Sequence, residues 1–219
     1  MNDLPLLVIG NCNYSSWSLR AWFALRHLDF RFREERLALD TPEFPERIRR
    51  YSAAARVPVL LDEGVEIWDS LSICAWAVER TGRWAWPEAV EARAHARSAV
   101  AEMHAGFAAL RAELPMNVRA RGRRVTPSAA ATADVDRTIG LWCEARTRFA
   151  GDGPWLYGSW SLADAFFVPV ALRFRTYGIP VPELCWPWLE HLFADPHLAE
   201  WSARAEAEPE ILPHEEVGA

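Results

Sequence analysis

A chain of 219 residues and 24.9 kDa suits one large or two small domains, and with 51% hydrophobic residues its core is not limited by composition. A net charge of −6 argues against a nucleic-acid platform, and positive charges that are all arginine exclude lysine Schiff-base chemistry. The cysteines (Cys12, Cys74, Cys143, Cys185) form no CxxC pair and so give neither a zinc pattern nor a small-protein disulfide framework.

Apolar runs stay short of the roughly 18 residues a membrane helix needs, and the opening MNDLPLLVIGN has no basic n-region. The expectation is a soluble cytoplasmic protein with no membrane, nucleic-acid or metal partner. Leu6 to Gly10 is a continuous apolar run, the mark of a buried strand. Asn11 to Ser16 (NCNYSS) is a loop of turn formers, and Ser18 to Leu28 carries a helical stripe at 19, 22, 23 and 25. Phe30 to Leu39 alternates and predicts a second strand. Thr41 to Arg50 predicts a weakly helical connector.

Ala54 to Glu79 organises the amino-terminal half. It predicts a strand over Val57–Leu61, a turn at Asp62-Glu63-Gly64, a short strand over Val65–Trp68 and a helix opened by Asp69-Ser70. A helix between the first two strands implies a parallel pair, whereas the tight turn at Gly64 demands an antiparallel one. A mixed four-stranded sheet flanked by helices follows. Composition changes over Thr81–Glu88, where a linker divides residues 1–84 from 85–219, and strand signals then cease. Ala89–Leu114 predicts one long helix with apolar residues at 99, 100, 103, 107 and 110, Arg119–Ser128 a basic mobile loop, and Ala129–Ala150 a second long helix. Ser161-Leu162-Ala163-Asp164 is a capping box opening a helix to Thr176, with Trp160 and Ala165 set for a weak staple and Pro169 for a kink. The expected role of Asp164 is structural, and its replacement by Ala should cost roughly 1–2 kcal/mol. Two short helices, Trp188–Ala194 and Leu198–Ala207, end the pattern.

Pro58 stands where a strand begins, which a central ladder tolerates poorly. Trans is the commoner form of such bonds, but a cis Val57–Pro58 bond would turn the Val57 amide outward to pair with an extended ligand. The Asp69-Ser70 helix start joins a carboxylate, a hydroxyl and free backbone N–H groups, a set able to hold an amino acid's ammonium and carboxylate together. A small zwitterionic peptide is the implied ligand. Ser15-Ser16-Trp17-Ser18 offers hydroxyls at a helix start, either to donate to a sulfur or simply to cap the helix. A free thiol titrates near about 8.5, and lowering that by about two units needs roughly 2.7 kcal/mol, within reach of one charge-assisted hydrogen bond and a helix N-terminus.

VPVL, a hairpin and then D-S at a helix start, in that order, resemble the glutathione-binding half of cytosolic glutathione transferases. The likeness spans nearly the whole chain and implies a thioredoxin-like amino-terminal domain with a cis-proline, an all-helical carboxy-terminal domain, glutathione as co-substrate, a hydrophobic electrophile and a homodimer. SSWSLRAWFAL is similar to the SSCSWRVRIAL-like segment of zeta-class members, which carries the thiol-activating role onto Ser15 with Ser16 as neighbour or substitute. The zeta-class cysteine is replaced by Trp17, a departure that bears on isomerase activity. The resemblance puts Arg56 on the glycyl carboxylate, the Val57 backbone beside Pro58 on the cysteinyl portion, and Asp69 and Ser70 on the γ-glutamyl end. Tyr14, Trp17, His104, Phe107, Met116 and Asn117 are candidates for an acceptor pocket. Two other readings stay open: a glutathione-dependent isomerase or thiol oxidoreductase using Cys12, and a non-catalytic glutathione-fold binding protein.

Overall fold

A computed structural model describes residues 4–219; the absence of a basic leader was read partly from residues 1–3, which lie outside the described ones. Strand β1 (Leu6–Ile9) is central because its side chains are buried on both faces. It pairs in parallel with β2 (Arg33–Arg36) and antiparallel with β3 (Val59–Asp62), Leu6 standing opposite Arg33 on one side and Leu61 on the other. β3 turns through Glu63 and Gly64, both at positive φ (49° and 82°), into β4 (Val65–Ile67). That two-residue link is the geometry a tight hairpin requires. The sheet order is β2-β1-β3-β4, the mixed sheet the pattern implies. β2 is shorter than the alternation over Phe30–Leu39 predicts; it is an edge strand of sequence REER, with only a partly buried face to hold it in register.

Helix α1 (Ser16–His27) crosses between β1 and β2, α2 (Phe44–Arg49) is the short connector, and α3 (Ser70–Thr81) follows β4. The peptides Val57–Pro58 and Trp68–Asp69 are both cis. From Val90 the elements are helical. The single long helix expected over Ala89–Leu114 is two: α4 (Val90–Ala105) and α5 (Ala108–Glu113). Between them Phe107 adopts φ 55°, and a Cβ on Gly106 would meet the Glu102 carbonyl oxygen at 2.7 Å. The apolar stripe nevertheless holds, since Ala99, Val100, Met103, Phe107 and Leu110 are all buried.

The expected mobile loop at 119–128 is tied down instead. Arg119 donates to the carbonyl oxygens of Glu208 (2.6 Å) and Glu210 (2.9 Å) and to the Tyr14 hydroxyl (2.9 Å), and Arg123 pairs with Glu216. α6 (Ala129–Phe149) starts at Ser128, whose Oγ accepts from the Ala131 N–H. α7 (Leu162–Tyr177) runs through Pro169 and is buried along nearly its whole length, packed on α1 and α4. Asp164 supplies its start: its carboxylate accepts from the Ser161 N–H (2.9 Å) and Oγ (3.2 Å), the Leu156 N–H (2.9 Å) and Trp188 Nε1 (3.0 Å). Burial pushes this carboxyl up to about 6. Trp160 stacks on His27, with ring centroids 4.8 Å apart. α8 (Trp186–Phe193) and α9 (Pro196–Ala207) complete the helices, and no described helix is long and apolar enough to cross a membrane.

Candidate active-site cleft

A cleft opens where the amino end of α1, the segment before β3 and the start of α3 face α4 and α5. It has two lobes of about 460 Å³ each, sharing Trp17, Arg56, Val57 and Arg111. Pro58, Trp68, Asp69, Ser70 and His104 complete the first lobe. Tyr14, Ser15, Ser16, Arg173 and Glu215 stand in the second. Ten of the sequence-derived site residues therefore share one cleft. Phe107 and Met116 do not: 6% and 0% exposed, they pack in the main core. A stripe residue at the right helical phase goes to the core unless something opens a pocket beside it.

The cleft's polar groups differ in how fully they are engaged. Asp69 caps α3, its Oδ1 accepting from the Leu71 N–H (3.0 Å) and its Oδ2 lying 2.9 Å from His104 Nε2. Ser70, fully buried at the first turn of α3, has an Oγ with no partner among the described residues. An unsatisfied buried hydroxyl is costly and points to a missing acceptor or donor. Arg56 is exposed at the rim of both lobes.

Ser15 is the N-cap of α1, its Oγ accepting weakly from the Ser18 N–H (3.4 Å) and donating to Ser18 Oγ (2.7 Å). Ser18 Oγ also accepts from the Gly10 N–H (3.1 Å). Both serines carry rotatable protons, so the 2.7 Å contact can reverse. Fed by Gly10, Ser18 can donate to Ser15 and release the Ser15 proton toward the cleft. Ser16 Oγ accepts from Arg173 Nη2 (3.4 Å).

Tyr14 belongs to the wall more than to the open pocket, because its hydroxyl donates to Glu216 Oε1 (2.7 Å) and accepts from Arg119. Cys12 is 1% exposed, and burial pushes its thiol up to about 12. A thiol held so far from ionisation is a poor nucleophile, which counts against the oxidoreductase reading.

Sequence reasoning found Arg56 but missed three other arginines at the cleft. Arg111 lies with its guanidinium carbon 5.3 Å from the Trp17 ring centroid, and Arg20 lies 4.4 Å from it. Arg173 was visible in principle, since a charge within the otherwise apolar run FFVPVALRF is seldom buried without a purpose.

A mixed thioredoxin-like sheet, a cleft at the cis-proline junction and a helical carboxy-terminal half define the class: this is the fold of glutathione transferases. Residues 14–80 match the family model described as "Glutathione S-transferase, N-terminal domain". A glutathione transferase homologue from Burkholderia, solved with bound glutathione, superposes with a TM-score of 0.69 at 20% identity, covering 94% of this chain and 100% of that one. The tau-class glutathione S-transferase of mango, Mangifera indica, gives 0.69 at 17% identity over 92% of this chain and 96% of its own. Ure2p in complex with glutathione gives 0.65 at 18% identity, covering 92% and 99%. No curated protein matches the chain by sequence.

Proposed function

We propose that the chain is a glutathione transferase, with residues 1–84 holding glutathione and residues 85–219 closing the acceptor side. The observation that carries this reading is the unpartnered, buried Ser70 hydroxyl at the start of α3, in one cleft with the Val57–Pro58 junction and Ser15. Ser70 and Asp69 take the γ-glutamyl end, the Val57 backbone takes the cysteinyl unit, and Arg56 takes the glycyl carboxylate. The sulfur then lies at the amino end of α1, where Ser15, supported by Ser18, donates a hydrogen bond to the thiolate. The helix dipole adds to that stabilisation. The likeness of the serine loop to the zeta-class segment supports Ser15 in this role.

Ser15→Ala tests it. The pKa of bound glutathione, read from the ultraviolet absorbance of the thiolate, should rise by about one to two units, and conjugation of 1-chloro-2,4-dinitrobenzene at pH 6.5 should fall by about ten- to a hundredfold. Glutathione affinity should stay within about threefold. An unchanged thiol pKa with unchanged turnover would refute the assignment. A second reading, glutathione binding without turnover, holds if the Ser15 hydroxyl keeps donating to Ser18 Oγ (2.7 Å) and does not turn to the sulfur. Tight retention on immobilised glutathione with no conjugation of any electrophile would select that reading.

A further inference from the structure

Beside the glutathione-binding lobe, three guanidiniums converge around Trp17 and Ser16 without one acidic hydrogen-bond partner among the described residues. Arg20 is fully buried; its Nε donates to the Phe166 carbonyl oxygen (3.1 Å), and both Nη atoms are buried without partners among the described residues. Arg173, 4% exposed, donates to the Pro169 carbonyl oxygen (3.2 Å) and to Ser16 Oγ (3.4 Å), leaving Nε unpartnered. Arg111 reaches both lobes with a buried, unpartnered Nη1.

The nearby acids do not neutralise the cluster. Asp134 acts on Arg111 at a distance, but its Oδ2 accepts from the Leu110 N–H (3.0 Å). Glu215 acts on Arg173 from the cleft wall without an ion pair, and burial raises its own carboxyl. Burial, then the neighbouring Arg173 and Arg111, hold the Arg20 guanidinium well below its usual range; burial brings Arg173 down to about 10. Like charges gathered out of water are destabilising unless an anion joins them. A planar guanidinium fork with spare N–H donors fits a carboxylate.

We propose that this end of the cleft is a carboxylate subsite, so that the second ligand bound beside glutathione is an organic acid rather than a purely hydrophobic electrophile. Arg111 and Arg173 contact the carboxylate. Arg20 adds positive potential from behind Trp17. The inference rests on the glutathione reading, because the subsite is defined relative to the sulfur.

Calorimetric titration with two unreactive conjugates, S-benzylglutathione and S-(4-carboxybenzyl)glutathione, separates the two. The carboxylated compound should bind at least about tenfold tighter at low salt, the scale of one charge-assisted pair. That gap should narrow in high salt. Arg111→Met should bring the two affinities together, and Arg111→Lys should keep part of the difference. Tight binding of S-benzylglutathione with no preference for the carboxylated compound overturns the subsite alone. Failure of both to bind overturns the glutathione reading and the subsite with it. If Arg111→Met does not fold, the wild-type ratio decides, with Arg173→Lys as second variant; a ratio that survives both substitutions at Arg111 and Arg173 removes those residues from the site.

Discussion

Asp164→Ala should destabilise the fold far more than a surface cap would. The carboxylate takes four hydrogen bonds, from the Ser161 N–H and Oγ, the Leu156 N–H and Trp188 Nε1, and Asp164 and its three donor residues are all buried. The serine hydroxyl can turn elsewhere, but the two amides and the indole cannot. Each buried donor left unsatisfied costs about 1–3 kcal/mol, so the loss from the three should be about 3–9 kcal/mol, against about 1 kcal/mol for an exposed cap. That is a large share of the roughly 5–15 kcal/mol a domain has.

Asp164→Asn should cost less, and its pH dependence is diagnostic. Burial raises the folded-state carboxyl from 3.8 to about 6, so the folded protein binds this proton more tightly than the unfolded chain does. The associated stability is fully present below pH about 4 and is lost as pH rises through about 6, roughly 3 kcal/mol in all. Asn cannot ionise, so the advantage of wild type over Asp164→Asn should shrink by about that amount between pH 4 and 7. Urea unfolding at both pH values, with the slope checked for two-state behaviour, measures it. A loss under about 1.5 kcal/mol for Asp164→Ala, or a wild-type advantage that ignores pH, would refute the reasoning.

Glu208 holds the serine loop, accepting from the Cys12 N–H (2.6 Å) and the Asn13 N–H (3.0 Å); Glu208→Ala should cost about 2–4 kcal/mol, with Glu208→Gln about half that, read from urea midpoints. Its failure to move the midpoint would show that the loop is held by its other contacts. Cys12 should resist alkylation in the native state: with its thiol near 12, the thiolate fraction at pH 8 is about a thousandfold below that of a free cysteine. Peptide mapping after brief iodoacetamide treatment should find Cys143, the half-buried cysteine, labelled ahead of Cys12. Rapid labelling of Cys12 would reopen the redox reading.

Local signals in the sequence reported local structure well. The apolar run at Leu6–Ile9, the Glu63-Gly64 turn, the Ala129 start of α6 and the Ser161/Asp164 box each lie where the sequence reading puts them. Periodicity, however, reports which residues are buried and not how the backbone gets them there. The stripe through 99, 103, 107 and 110 is continuous in burial although the helix breaks at Gly106–Phe107. The same blindness put Phe107 and Met116 in an acceptor pocket. The basic stretch at 119–128 looked mobile because its partners are remote: Arg119 bonds backbone 89 and 91 residues away. Arg20 and Arg111 were illegible for a related reason. A charge on a helix reads as solvated until the packing shows that it has no solvent.

The serine loop illustrates why a motif alone does not make a site. Asn11, Cys12, Asn13, Tyr14 and Ser15 are all buried, and a buried loop must find partners for every backbone group. Those partners come mainly from the far end of the chain. Glu208 takes the Cys12 and Asn13 amides, Trp201 Nε1 donates to the Cys12 carbonyl oxygen (2.8 Å), and the Val118 N–H donates to the Asn13 carbonyl oxygen (3.2 Å). The Asn13 side chain donates to Asn117 Oδ1 (3.0 Å) and accepts from the Arg119 N–H (2.9 Å). Ser15 is therefore aimed by residues of the helical half, although everything that marks it in the sequence is local. An amino-terminal half cut away from that support would keep the serine and lose the two carboxylate bonds, the indole bond and the Asn117 contact that orient it. The hydroxyl's position relative to the cleft is a property of both halves packed together.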